Sequence, residues 1–272
     1  MLHLHNTRLQ IEKFVYNKGT NVALYNAEHS KRYKAFQEKI RRSMISQIRK
    51  IANYKEVLPL LMSLAKGRNP TVELLSQITV MINKDKLSDK VDLKLYLEWA
   101  GNQGGQAGLD KLGINAVFAL KDQRLIDYFD DYSKLLIDSV DDYTKEWIAA
   151  KIQEGKDTGL TPFEIQQLLE EDGDAISAIR AERIVLTETN KAMSTIELDA
   201  ARRNNILEKI WRTSLDERVC PICAPIEGEK QAINANFSIG SDIPPAHVSC
   251  RCYMEEVIPQ DWILPDKIWV GQ

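Results

Sequence analysis

Apolar side chains recur three and four residues apart over much of this chain, the period of helices with one buried face. In the first stretch, Leu24 and Tyr25 are followed by Tyr33, Phe36, Ile40, Met44, Ile48 and Ile51. Arg32, Lys34, Lys39, Arg41, Arg42, Arg49 and Lys50 fall between them. This pattern predicts a basic amphipathic helix within residues 8–66. Lys66-Gly67-Arg68-Asn69-Pro70 then breaks it. Val72, Leu75, Ile78 and Ile82 predict a second helix over 71–83, and the charged run 84–90 a loop. Leu125, Phe129, Tyr132, Leu136, Val140, Tyr143 and Trp147 mark the stripe of a long helix over 121–153. Asp127, Asp130, Asp131, Asp138, Asp141 and Asp142 read as its solvated face.

Two further helices follow. Thr161-Pro162-Phe163-Glu164 combines an N-cap, a proline at the first helical position and a capping box, with Leu160 and Ile165 placed as a hydrophobic staple. Another helix is expected from Asp174 to about Asn204, where Arg180, Arg183 and Glu188 read as surface pairs. The period then shifts toward two. Ile210–Leu215 predicts a short strand with Trp211 and Thr213 on one face, and 250–258 predicts a second. Between Leu93 and Asp110 the chain is rich in glycine, with Gly101, Gly104, Gly105 and Gly108, and Gly113 just beyond. No Gly-Lys-Ser/Thr follows, so nucleotide binding is not expected, and the glycines are read as allowing close helix packing or a turn.

The candidate chemistry sits in one place. All 4 cysteines lie in Cys220-Pro-Ile-Cys223 and Cys250-Arg-Cys252, with His247 three residues before Cys250. A Cys-x-x-Cys turn aims two sulfurs at one point, and residues two apart in an extended segment share a face. These five side chains offer more ligands than the four tetrahedral zinc requires. The other readings are a disulfide pair or unrelated core thiols, and the spacing does not select which four would bind. The fold class expected is mainly α, an elongated helical body with a small C-terminal α+β zinc-knuckle module.

The runs Trp211–Gly228 (W-R-T-S-L-D-E-R-V-C-P-I-C-A-P-I-E-G) and Pro244–Cys252 (P-P-A-H-V-S-C-R-C) resemble the signature of phage head morphogenesis proteins related to protein F of phage Mu. The resemblance extends over roughly Leu93 to Val257 and includes a small-residue helix before Leu112-Gly113-Ile114. Where the family carries Arg-Thr-Glu, this chain has Leu186-Thr187-Glu188, so a role for that arginine does not transfer. The resemblance implies a minor head (capsid) protein of a phage or prophage, inside the virion head near the portal. Its expected partners are the portal protein, with the major capsid or scaffold protein as a further one.

Charge adds a second partner. Residues 1–68 hold 14 Lys or Arg against 4 Glu, a balance of +10 in a chain whose total is −3. A basic arm on an acidic body suggests a polyanion partner, double-stranded DNA bound through the arm, or an acidic protein surface. Three parts are expected: a basic helical arm over 1–68, a helical body over 69–204 and the knuckle module over 205–272. The first residues hold no apolar secretory core, and Leu58–Ala65 is too short to span a bilayer. A protein without a membrane partner and with reduced thiols is therefore expected. His3, His5 and His29 are the remaining histidines, and His3 and His5 read as terminal and solvated. The rival class is a zinc-dependent nuclease or other DNA-processing enzyme, which would require His247 to act as both base and ligand. A role through assembly contacts, without turnover, is the expectation.

Overall fold

The computed structural model describes residues 27, 30–52, 71–214 and 219–272. Five α-helices and three strands make up the described chain: α1 Lys31–Ala52, α2 Thr71–Lys84, α3 Leu93–Lys111, α4 Gln123–Asp157, α5 Pro162–Arg203, β1 Glu208–Arg212, β2 Lys230–Ala232 and β3 Tyr253–Val257. The protein is mainly α with a small α+β end, as the periodicities predict. Leu24, Tyr25, the three N-terminal histidines and the Lys66–Pro70 break lie outside the described residues. The expected loop at 84–90 contains a single 3-10 turn, Leu87–Asp89.

Two compact units are present. One comprises Ala35–Leu93 and Asp130–Glu182, and the other Met1–Lys34, Lys94–Phe129 and Arg183–Gln272. The first is held by Ile48 and Ile51 of α1, Ile78, Met81 and Ile82 of α2, Ile148 and Ile152 of α4, and Ile165 and Leu169 of α5. Leu160 packs against that cluster, and the capping box forms as expected. The Thr161 N–H donates to the Glu164 carboxylate at 2.7 Å, and the Glu164 N–H donates to Thr161 Oγ1 at 3.3 Å.

Three expectations need correction. Pro162 opens a helix that runs unbroken to Arg203, so the segments on either side of Gly173 are one helix of 42 residues. Gly173 is tolerated inside it because α1 comes close: an added Cβ would lie 2.8 Å from Ile48 Cγ2. The buried stripe of α4 is also rotated from the one the large side chains suggest. It runs through Phe129, Ser133, Ile137, Val140, Asp141, Thr144, Ile148 and Ile152, while Tyr143 is exposed. Ser133 and Thr144 can be buried because each hydroxyl donates to a carbonyl of its own helix, Asp130 O and Val140 O. Asp141 accordingly leaves the solvated face and accepts from Gln47 Nε2 at 2.9 Å. Finally, Arg180 and Glu188 are buried. Arg180 donates to Thr144 Oγ1 and Val140 O and stacks over the Tyr143 ring at 4.2 Å.

In the second unit, α3 approaches α5 through its glycines. A Cβ at Gly104 would sit 2.1 Å from the Met193 carbonyl oxygen, a distance that only a missing side chain permits. Tyr96 and Thr189 share a buried hydroxyl hydrogen bond of 2.7 Å nearby. The strands form one antiparallel sheet in the order β2-β1-β3, with Trp211 opposite Met254 and Lys209 opposite Glu256. Trp211 and Thr213 face inward, as the alternation predicts. The last residues return to the start of α4: Ala119 N–H donates to Val270 O and Lys121 N–H to Gly271 O.

Candidate metal centre

The first knuckle hangs from β1. Trp211 exchanges backbone hydrogen bonds with Glu229 and Gly228, closing the loop that holds Cys220 and Cys223. Gly228 takes the left-handed conformation (φ +77) that this turn requires. Cys220 O accepts from the N–H groups of Cys223 and Ala224, and Cys220 Sγ accepts from Cys223 N–H at 3.4 Å. These bonds bend Cys-x-x-Cys so that both sulfurs face inward. The signature residues Asp216 and Arg218 lie outside the described residues.

The second knuckle is anchored to α5. Asn190, fully buried, donates from Nδ2 to the carbonyls of Cys250 and Cys252, both at 3.0 Å. Ser249, with φ +60, donates its N–H to Thr187 Oγ1 at 2.9 Å. A turn from His247 O to Cys250 N–H brings the imidazole and the Cys250 sulfur to the same side. Asn190 is a site residue that the sequence reading missed. Its available signal was a carboxamide in an otherwise well-formed helix, three residues after Thr187, where an apolar side chain would ordinarily be buried.

The five expected ligands meet in two overlapping triads, Cys220–Cys223–His247 and Cys223–Cys250–Cys252, within each of which the ligand atoms lie within 4.8 Å of one another. Cys223 belongs to both. His247 Nε2 is 3.0 Å from Cys220 Sγ and 3.1 Å from Cys223 Sγ, and the Cys223 and Cys250 sulfurs are 3.9 Å apart. Tetrahedral zinc with ordinary bond lengths would set such edges at about 3.6–3.8 Å, so small side-chain shifts suffice to accommodate an ion. His247 Nδ1 lies 2.9 Å from Val248 O; a carbonyl accepts, so this nitrogen carries the proton and Nε2 presents its lone pair to the sulfurs. All four cysteines are free thiols in this structure.

Electrostatics favour a cation at this point. A hydrogen bond from the Cys252 thiol, opposed by burial, brings Cys250 down to about 5, and the same contact pushes Cys252 up. Burial, reinforced by the Cys250 sulfur, pushes Cys223 up to about 12. Burial opposes ionisation of Cys220, but the Cys223 N–H lowers its pKa overall. For His247, burial is outweighed by the Val248 carbonyl and the sulfur charges, which raise its pKa. Thiolates crowded around one point cannot all ionise without a positive charge among them. The cluster could hold a metal ion. Trp211, Ile226 and Phe237 cover its inner side, with the Trp211 and Phe237 rings edge to face at 5.2 Å.

Residues 146–255 match the model of a family described as Phage Mu protein F like protein. The match runs from the second half of α4 to β3 and takes in α5 and both knuckles, while the glycine-rich α3 lies outside it. It supports the resemblance to phage head morphogenesis proteins that the signature residues suggest. No curated protein and no solved structure matches the chain. Among the described residues, no helix is long and apolar enough to cross a membrane.

Proposed function

We propose that this chain is a minor head protein of a tailed phage or prophage, which associates with the portal and the packaged DNA during head morphogenesis and DNA delivery. One observation carries the reading: the family match spans both knuckles and the helix that grips one of them. A head protein would reside in the virion, inside the head near the portal, with host cytoplasm as its place of assembly. The major capsid or scaffold protein is a further candidate partner.

The ion in this reading is a structural zinc held by four of Cys220, Cys223, His247, Cys250 and Cys252. It would supply folding free energy without chemistry, as closed thiolate-rich sites do. His247 is the one histidine among the described residues, and its Nε2 is already directed at the sulfurs. Among the described residues a nuclease would find only this imidazole to use as its base, which favours assembly contacts over turnover.

The test is co-sedimentation of the purified protein with portal rings on a gradient, together with elemental analysis of protein prepared without chelator. Retention on the rings and close to one equivalent of zinc are expected. A protein that stays at the top of the gradient, or that cleaves DNA with a metal dependence lost in His247→Ala while fold and portal binding persist, would overturn the reading.

A further inference from the structure

Among the described residues, the outward face of α1 carries more cations than carboxylates. Tyr33, Phe36, Ile40, Met44, Ile48 and Ile51 are all buried, so this helix has already spent its apolar face. The opposite face carries Lys39, Arg42, Arg49 and Lys50, all exposed. Two grooves of about 660 and 580 Å³ run along it, and Arg42 and Ser46 line both. Six cations border the grooves: Lys39, Arg41, Arg42, Arg49, Lys50 and Lys90. Among the described residues, three carboxylates pair with them. Glu38 is bonded to both Arg41 and Arg42, Asp85 to both Lys50 and Lys90, and Asp174 to Arg49. Two of the three carboxylates are thus shared between two cations each, which leaves the face with a clear positive excess.

We infer that this face of α1 is a binding surface for the phosphate backbone of duplex DNA, read without regard to sequence. Lys39 and Arg49 are ten residues apart, about 15 Å along a helix. A duplex presents about nine phosphate charges over that length. Arg42 and Arg49 offer planar forks suited to phosphate oxygens, and Ser46 adds a hydroxyl between them. A protein partner is disfavoured because, among the described residues, the apolar lining of these grooves is only the buried Ile45 and the small Ala35, too little for an interface core. A membrane surface is disfavoured because interfacial helices bury their apolar side in lipid, and here that side lies within the protein. The inference rests on the DNA association proposed above, whereas the portal association does not depend on this surface. The surface also differs from the arm as a whole, since it belongs to a helix docked in a folded unit.

The experiment measures binding of a random-sequence duplex to the full chain across a salt series, by fluorescence anisotropy. Lys39→Gln/Arg42→Gln is compared with Lys121→Gln/Lys267→Gln, which removes two exposed cations elsewhere. A third variant, Arg8→Gln/Lys13→Gln/Lys18→Gln, removes charge from the N-terminal segment. Loss of two phosphate contacts should weaken binding at least about tenfold at low salt and flatten the log–log salt slope by about two. The Lys121/Lys267 control should bind like the parent. Circular dichroism and melting checks that the Lys39/Arg42 variant stays folded, and Lys39→Arg should retain binding. If the Lys39/Arg42 variant binds like the parent, or if only the N-terminal variant loses affinity, the assignment fails. Unchanged portal co-sedimentation of the Lys39/Arg42 variant would keep the two readings separate.

Discussion

Gly104 and Gly108 lie one helical turn apart on α3, and the structure predicts opposite consequences for the same substitution. An alanine at Gly104 would place its Cβ 2.1 Å from the carbonyl oxygen of Met193 and 2.5 Å from its Cα. Both are backbone atoms of α5 and cannot swing aside, so the helices must separate by more than an ångström. At Gly108 the nearest atoms are Ala200 Cβ and Glu197 Cγ, both 3.6 Å away, which is ordinary contact. Replacing a helical glycine by alanine is worth about 1 kcal/mol in helix propensity at either position. Gly108→Ala should therefore be stabilising by up to about 1 kcal/mol. Gly104→Ala should lose that gain to an overpacking cost of about 3 kcal/mol or more, for a net destabilisation of about 2 kcal/mol. Gly101→Ala should fall between them, since its Cβ would press on Ile196 Cγ1 at 2.9 Å and the Phe129 ring at 3.0 Å, both side chains. Urea unfolding followed by far-ultraviolet circular dichroism gives the ranking through the midpoints. Equal destabilisation at positions 104 and 108 would refute the packing argument and assign these glycines another role.

Thr161→Ala removes the capping box that starts α5 and should cost about 1 kcal/mol in the same assay, while Thr161→Ser should cost little. Asn190→Ala strips two buried carbonyls of their donor; it should cost about 1–3 kcal/mol and speed loss of bound metal to a chelator. Lys111→Met should destabilise by about 3–5 kcal/mol at neutral pH, because it leaves Glu197 and Glu256 buried without their cation. Lys111 neutralises one of the two carboxylates, and burial pushes the other, Glu256, up to about 8 from the usual 4.5. A carboxyl raised in the folded state contributes stability that is complete below its unfolded pKa and lost as pH climbs through the folded one. Glu256→Gln should accordingly flatten a decline in melting temperature between about pH 5 and 8, and an unchanged slope would remove Glu256 as its source.

The long helices were legible because their signals are local. The Thr161–Ile165 start needs five residues, and the α1 stripe is marked mainly by large apolar side chains. The α4 stripe was misread where burial depends on groups that look exposed in a sequence. Ser133 and Thr144 satisfy their hydroxyls within their own helix, and Asp141 takes its partner, Gln47, from 94 positions away. No window along the chain contains that partner. The same holds for Gly173, a helix breaker by propensity but a contact point once Ile48 is known to lie against it. The cysteine and histidine cluster was visible from spacing, which constrains ligands strongly. Its supports were hidden, since Asn190 and Thr187 act on backbone groups some sixty residues downstream.

Those supports tie the two knuckles to different elements of the chain. The first knuckle is built on the backbone of β1 through Trp211, and the second is fixed to α5 through Thr187 and Asn190. The five ligand side chains are where the two halves meet. An ion bound there would clamp a three-stranded sheet to a long helix, and the sheet alone is too small to hold that position by burial. The short strands β1 and β3 also bring Glu256 to Lys111, so the charge cluster and the knuckles fix the same strand from its two ends. Residues 146–255 contain nearly the whole of this clamp. An ion, Asn190 and the Lys111 cluster would each contribute to holding the sheet against α5. Chelation should therefore expose Trp211 to quenchers before α4 and α5 melt, a sequence of events that tryptophan fluorescence and circular dichroism can separate.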